Sequence, residues 1–93
     1  NTIINYFFLE KTMKLKLGNL VTLESPKNGQ PYKNYYGLLT NIRDIENKNS
    51  KSEISDTDPN FIFCQCTIDW LESPYGQRTE ICNATYVREY NNA

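Results

Sequence analysis

Apolar and polar residues alternate with a period of two along much of this 93-residue chain, the pattern of strands with one buried face. Leu17-Gly18-Asn19-Leu20-Val21-Thr22-Leu23 alternates and is rich in β formers, which predicts a first core strand. Tyr35 to Ile45 predicts a second, with Leu38 and Ile42 turned inward and Leu39, Asn41 and Arg43 on the other face. Phe61 to Leu71 is the longest candidate. Ile62, Cys64, Cys66, Ile68 and Trp70 share its expected core face, and Phe61, Phe63, Gln65, Thr67 and Asp69 face outward. Its expected return partner is Gln77 to Cys82, across a Ser73-Pro74-Tyr75-Gly76 turn whose serine, proline and glycine fit a type I turn. That turn sets Glu72 opposite Gln77, Trp70 opposite Thr79, Ile68 opposite Ile81 and Thr67 opposite Cys82. A slip of one residue sets Ile68 against Glu80, contrary to the hydrophobic pattern. Asn83-Ala84-Thr85 reads as a turn and Tyr86 to Tyr90 as a closing strand with Val87 inward.

The connections differ in kind. Ser25 to Pro31 is dense in turn formers around Asn28-Gly29, which predicts a loop or splayed hairpin tip. Glu46 to Asn60 is polar around a lone Ile54 and is expected to be a mobile loop, because it buries too little to offset its ordering entropy. Its length exceeds most connections in compact domains, so it is either a functional loop or an insertion. Ile3 to Leu9 is apolar but lacks the basic flank and cleavage site of a signal peptide. No run reaches the roughly 18 apolar residues that span a bilayer. Met13-Lys14-Leu15-Lys16-Leu17-Gly18 looks like a protein start, so residues 1–12 read as an arm, a remnant of something longer or an over-extended reading frame. The expected organisation is an N-terminal arm at 1–12 and one small all-β domain at 13–93, with a polar loop at 46–60. No helix is required.

Four stretches carry a resemblance. Leu17-Gly18-Asn19-Leu20-Val21, Gly37-Leu38-Leu39-Thr40-Asn41-Ile42, Thr67-Ile68-Asp69-Trp70-Leu71 and Thr85-Tyr86-Val87-Arg88-Glu89-Tyr90 resemble an SH3-like small β-barrel, most of all the short uncharacterised ones encoded by tailed bacteriophages. The resemblance covers residues 17–90 apart from the polar loop. It implies a small barrel, or a strongly bent antiparallel sheet of about five strands, and it supplies no site residue.

Composition narrows the chemistry. A formal net charge of -1 gives no global field toward nucleic acid or an anionic membrane. Histidine is absent, which removes the usual general base and the commonest zinc nitrogen ligand. Cys64, Cys66 and Cys82 lack zinc spacing and a fourth ligand, and the expected register puts Cys82 on the face opposite the other two. Asp56-Thr57-Asp58 lacks the glycine and terminal glutamate of a calcium loop. Asp69, Glu72, Glu80 and Glu89, interspersed with Arg78 and Arg88, read as a solvated sheet face. The four glycines are isolated, so no phosphate loop is present. No catalytic residue, cofactor or metal is therefore expected, and the setting is intracellular or virion-associated.

Two binding readings follow. Outward Phe61 and Phe63, with Ile4, Tyr6, Phe7 and Phe8 of the arm, point to protein subunits as partners, including a second copy through arm exchange. Lys27 and Lys33 beside Tyr35 and Tyr36 form an aromatic and basic mixture suited to nucleic acid, which is the alternative. The sequence thus points to a non-enzymatic protein-interaction or structural accessory module.

Overall fold

A computed structural model describes residues 12–91. Its strands are β1 (Lys14–Lys16), β2 (Leu20–Leu23), β3 (Tyr36–Asp44), β4 (Asn49–Lys51), β5 (Glu53–Ser55), β6 (Cys64–Glu72), β7 (Thr79–Asn83) and β8 (Val87–Glu89). Two 3-10 turns occupy Phe61–Phe63 and Ala84–Tyr86. The main sheet runs β7-β6-β3-β2-β8, β4 adds to β3, and β1 pairs with β5 in a second small sheet. Every pairing is antiparallel. The domain is all-β as expected, but among the described residues its sheets do not close into a barrel.

β3 carries the architecture. β6 pairs along one edge of it, while β2 takes the first half of the other edge and β4 the second. Pairing with β6 joins Leu39 to Ile68 and then Asn41 to Thr67, so Thr40 is an extra residue bulged out of the ladder. The Thr40 hydroxyl donates to the Thr67 carbonyl at 3.3 Å. The bulge shifts the phase of the strand, so that Gly37 and Leu39 face the core before it and Ile42 and Asp44 after it. This corrects the expected inward Leu38, which is half-buried, whereas Leu39 is sealed. A compensating irregularity lies between the Tyr36–Glu72 and Gly37–Trp70 pairs and leaves Leu71 exposed. Strict alternation cannot register either bulge.

The segment 46–60 is not a loop. A turn with Lys48 at φ +55° folds β4 onto β3, and the buried Asp44 carboxylate accepts the backbone N–H and the side-chain amide of Asn47, each at 3.0 Å. Those bonds, led by the backbone N–H, hold the Asp44 acid below the ordinary carboxylate value. β5 then pairs with β1, setting Ile54 opposite Leu15, and both side chains are buried. The apparently lone Ile54 is thus a core residue whose partner lies far back in sequence. The expected first strand is split for the same reason: β1 ends at Lys16, a turn bearing Gly18 at φ +87° follows, and Leu17 and Leu20 are exposed.

Phe61–Phe63 forms a 3-10 turn rather than strand, which breaks the two-residue period. Phe61, expected outward, is buried, and Ile62, expected inward, is 59% exposed. From Cys64 the expected face holds, with Cys64, Cys66, Ile68 and Trp70 inward. The partner register does not. Ile68 faces Glu80, Thr67 faces Ile81 and Cys66 faces Cys82, which is the slip that the hydrophobic pattern argued against. The connection is longer than a type I turn, with the ladder ending where the Trp70 N–H donates to the Arg78 carbonyl at 2.7 Å. Glu80 accepts hydrogen bonds on the inner side, so the polar residue is satisfied there, and Ile81 lies outward at 64% exposure. Val87 is buried in the closing strand, as expected.

At Gly37 a Cβ would come within 2.6 Å of the Asp69 carbonyl and 2.8 Å of Ile68 Cγ2 and Trp70 Cα. Gly37→Ala is expected to destabilise the fold by about 1–3 kcal/mol, seen as a lower urea midpoint at unchanged slope. An unchanged midpoint would mean that β3 and β6 separate freely at this crossing.

A candidate binding groove at the open edge of the sheet

β7 and β8 terminate the sheet order, and among the described residues no ladder joins the outer edge of β7 to β8 or to the end of β2 across the seam between them. A groove of about 280 Å³ lies there. One wall is Leu23, Glu24, Ser25, Pro26 and Tyr32, and the other is Pro74 and Tyr75 of the β6–β7 connection with Glu80 and Cys82 of β7. Tyr86 joins them from the second 3-10 turn.

Local chemistry sets each wall. The β2–β3 loop folds on itself through a Glu24–Pro31 bridge and N–H donation from Ser25 to Gln30 and from Tyr32 to Leu23. This delivers the Tyr32 ring edge-on to Tyr35, with centroids 5.2 Å apart, and the Tyr32 hydroxyl to 3.3 Å from that of Tyr75 across the groove. The hydrogen bond with Tyr75 raises the Tyr32 phenol above its ordinary value, with desolvation adding to it. Opposite, Gly76 at φ +82° turns the chain so that the Gln77 side chain can clamp it. Gln77 Oε1 accepts the Tyr75 N–H at 3.1 Å, and Gln77 Nε2 donates to Glu80 Oε1 at 2.8 Å. The Trp70 indole Nε1 donates to the same oxygen at 3.1 Å. Asn83 caps the 3-10 turn that carries Tyr86, its Oδ1 accepting from the Thr85 N–H at 2.9 Å.

The two carboxylates of the groove differ. Glu24 is paired with the Arg88 guanidinium, which also donates to the Thr85 and Val87 carbonyls. Glu80 forms no ion pair among the described residues. It was expected on a solvated face and instead stands half-buried beside Trp70. Its charge acts on Cys82, whose thiol is pushed up to about 12 by burial first and Glu80 second. Cys66, directly opposite, is likewise pushed up to about 12, by burial and then by Cys82. Cys82 therefore shares the inward face with Cys66 rather than lying opposite it, and all three thiols are free.

The residues singled out from sequence are dispersed. Ile4, Tyr6, Phe7 and Phe8 lie outside the described residues. Phe61 is a core residue and leaves the interaction set, because the 3-10 turn rotates it inward. Phe63 is 42% exposed, and its carbonyl accepts the N–H of Ile45, which is also exposed. Lys27 and Lys33 are exposed, Lys27 near the tip of the β2–β3 loop. Tyr35 is half-buried against the core, while Tyr36 stacks on Tyr90 at 4.9 Å. Tyr90 in turn donates its hydroxyl to the Lys33 carbonyl at 2.6 Å. Tyr75, Tyr86 and Pro74 sit in turns, where strand alternation gives no signal, and the expected register put Glu80 on the wrong face. No cluster of three metal-ligating side chains occurs among the described residues, and no helix among them is long and apolar enough to cross a membrane.

Burial of the facing thiols has a kinetic consequence. With Cys66 and Cys82 both pushed up to about 12, iodoacetamide at pH 8 is expected to alkylate them at least about tenfold more slowly in the folded protein than in urea. The folded thiols keep protons that unfolded ones release, so stability is fully present below the ordinary thiol value of 9.0 and falls as pH rises above it. Peptide mass spectrometry of timed alkylations checks the first, and equal rates folded and unfolded would show that the thiols are open.

Comparison with known proteins yields no match, neither to a family model, nor to a curated protein, nor to a solved structure.

Proposed function

We propose that this protein is a non-enzymatic protein-interaction module that holds an extended segment of another protein subunit in the groove between the β2–β3 loop and β7. The observation that carries this reading is the juxtaposition of three tyrosines and two prolines with the end strand of an unclosed sheet. Tyr75 and Tyr86 are 74% and 57% exposed. Tyrosines supply broad apolar contact with a polar tip and little side-chain entropy to lose, which is why they recur at recognition surfaces. An end strand beside them offers backbone N–H and C=O groups for an added strand.

The order β7-β6-β3-β2-β8, with a 3-10 turn before β8 and β8 returning to β2, supports an SH3-like small-barrel reading of the fold. A phage-encoded accessory protein, intracellular or virion-associated, is the setting consistent with the resemblance. Exposed Phe63 and the apolar residues 3–9 keep self-association through the arm as a second mode of contact with protein subunits. Nucleic acid is the alternative partner. It is favoured by exposed Lys33 next to the Tyr36–Tyr90 stack, and weakened because that stack and the core packing of Tyr35 occupy the ring faces.

Panning a random peptide display library on the immobilised protein tests the groove directly. Enriched peptides are expected to lose about tenfold or more in affinity against Tyr75→Ala and Tyr86→Ala, read by fluorescence anisotropy. Peptides that bind both variants undiminished would move the site elsewhere. Labelled DNA and RNA, at roughly 50 and 200 mM salt, address the alternative, because phosphate-dominated binding weakens steeply over that range and depends on Lys27 and Lys33.

A further inference from the structure

We infer that the groove receives a cation, the ammonium or guanidinium of a lysine or arginine side chain, against the Glu80 carboxylate. The inference deepens the peptide-groove reading and rests on it. The slipped register of β7 turns Glu80 toward the inner face, opposite Ile68, where an apolar side chain would pack at lower desolvation cost. Two N–H groups, from Trp70 and Gln77, converge on its Oε1 and fix the carboxylate in place. Both donors are neutral, so they orient the charge without cancelling it. The other oxygen, Oε2, takes no hydrogen bond among the described residues, and it is not sealed from solvent.

The rest of the groove agrees in sign. Among the described residues its lining holds no lysine or arginine, and its second carboxylate, Glu24, is already paired with Arg88. The uncompensated charge is therefore that of Glu80. Tyr32, Tyr75 and Tyr86 share the groove, and tyrosine rings attract cations through their electron-rich faces. A half-buried carboxylate held by neutral donors, among aromatic rings and with no counter-ion among the described residues, fits a ligand that brings the positive charge with it.

The purely structural role, in which Glu80 only clamps the β6–β7 connection, is separated by Glu80→Gln. That change keeps a side-chain carbonyl to accept from Trp70 and Gln77, and it replaces the charge and the second oxygen with a neutral amide. Trp70 is the single tryptophan of the chain and its indole N–H is bonded to Glu80, so one indole resonance in a 1H–15N spectrum reports on the site. The probes are the N-acetyl methylamides of lysine and arginine, with that of norleucine as the uncharged control. Saturable movement of the indole resonance by the two cationic probes and not by norleucine is expected, with affinity at least about tenfold weaker in Glu80→Gln. Equal response to norleucine, an undiminished response in Glu80→Gln, or no saturable movement in the wild-type protein would overturn the inference. If Glu80→Gln lacks the dispersed spectrum of a folded chain, the wild-type contrast between lysine and norleucine probes decides alone. Library peptides that need Tyr75 and Tyr86 but carry no lysine or arginine would overturn the cation while leaving the groove. Peptides indifferent to both tyrosines would remove the groove itself.

Discussion

The phase change in β3 at Thr40 is the constraint on which the rest of the domain depends. A strand in strict alternation presents one set of residues to one face, yet β3 must seal Leu39 against Ile68 and Ile42 against Cys66 on the same side. Those positions are three apart, which a period of two cannot reconcile without an extra residue between them. Thr40 is that residue, and its hydroxyl returns a hydrogen bond to the β6 backbone. A bulge also bends and twists the strand that carries it. The bend lets one edge of β3 serve two partners, β2 before the bulge and β4 after it, and so folds the sheet around its own core. At the other end, the close crossing at Gly37 leaves no room for a side chain between β3 and β6.

How much of this was legible follows from the range of each signal. The inward run Cys64, Cys66, Ile68 and Trp70 and the inward Val87 were readable, because uninterrupted alternation over a few residues fixes a face. The bulge at Thr40 was not, because Leu38 and Leu39 are equally apolar and only pairing with β6 chooses between them. Ile54 was misread for a longer-range reason: it is buried by Leu15, and neither β1 nor β5 has enough apolar residues to declare itself alone. The register of β6 and β7 failed at the connection. Ser73-Pro74-Tyr75-Gly76 has the residue types of a tight turn, but the ladder stops at Trp70 and Arg78, and the Gln77 side chain organises what lies between. One residue of slip moved Glu80 and Cys82 to the inside and Ile81 to the outside, so the candidate site was lost with the register.

The groove exists because the sheet is left open. An unpaired strand end is a hazard for any β protein, and β7 keeps features that blunt it: five residues, an exposed Thr79 and the half-buried acid Glu80. Covering the seam with an apolar strand would close the structure, but it would also seal the Glu80 carboxylate without a counter-ion. The residues across the seam do not attempt this. Pro26 and Pro74 place no backbone N–H there, and the tyrosines meet through a single hydroxyl contact between Tyr32 and Tyr75. The seam is thus bridged by a side-chain contact rather than by a ladder.

Glu80 joins the fold to the groove. The hydrogen bonds that hold its carboxylate also tie the Trp70 indole to the Gln77 clamp, and the clamp fixes the N–H of Tyr75. A neutral glutamine at this position satisfies the same donors, so hydrogen bonding alone does not call for a charge. A charge at a half-buried position costs solvation whether or not a ligand is present. The neutral N–H donors of Trp70 and Gln77 offset part of that cost at Oε1. A cation brought to the free side of the carboxylate adds Coulomb attraction, and this attraction is stronger beside a half-buried group than in open water. The features that make Glu80 a poor choice for the inner face of β7 are therefore the ones that suit it to a positively charged ligand.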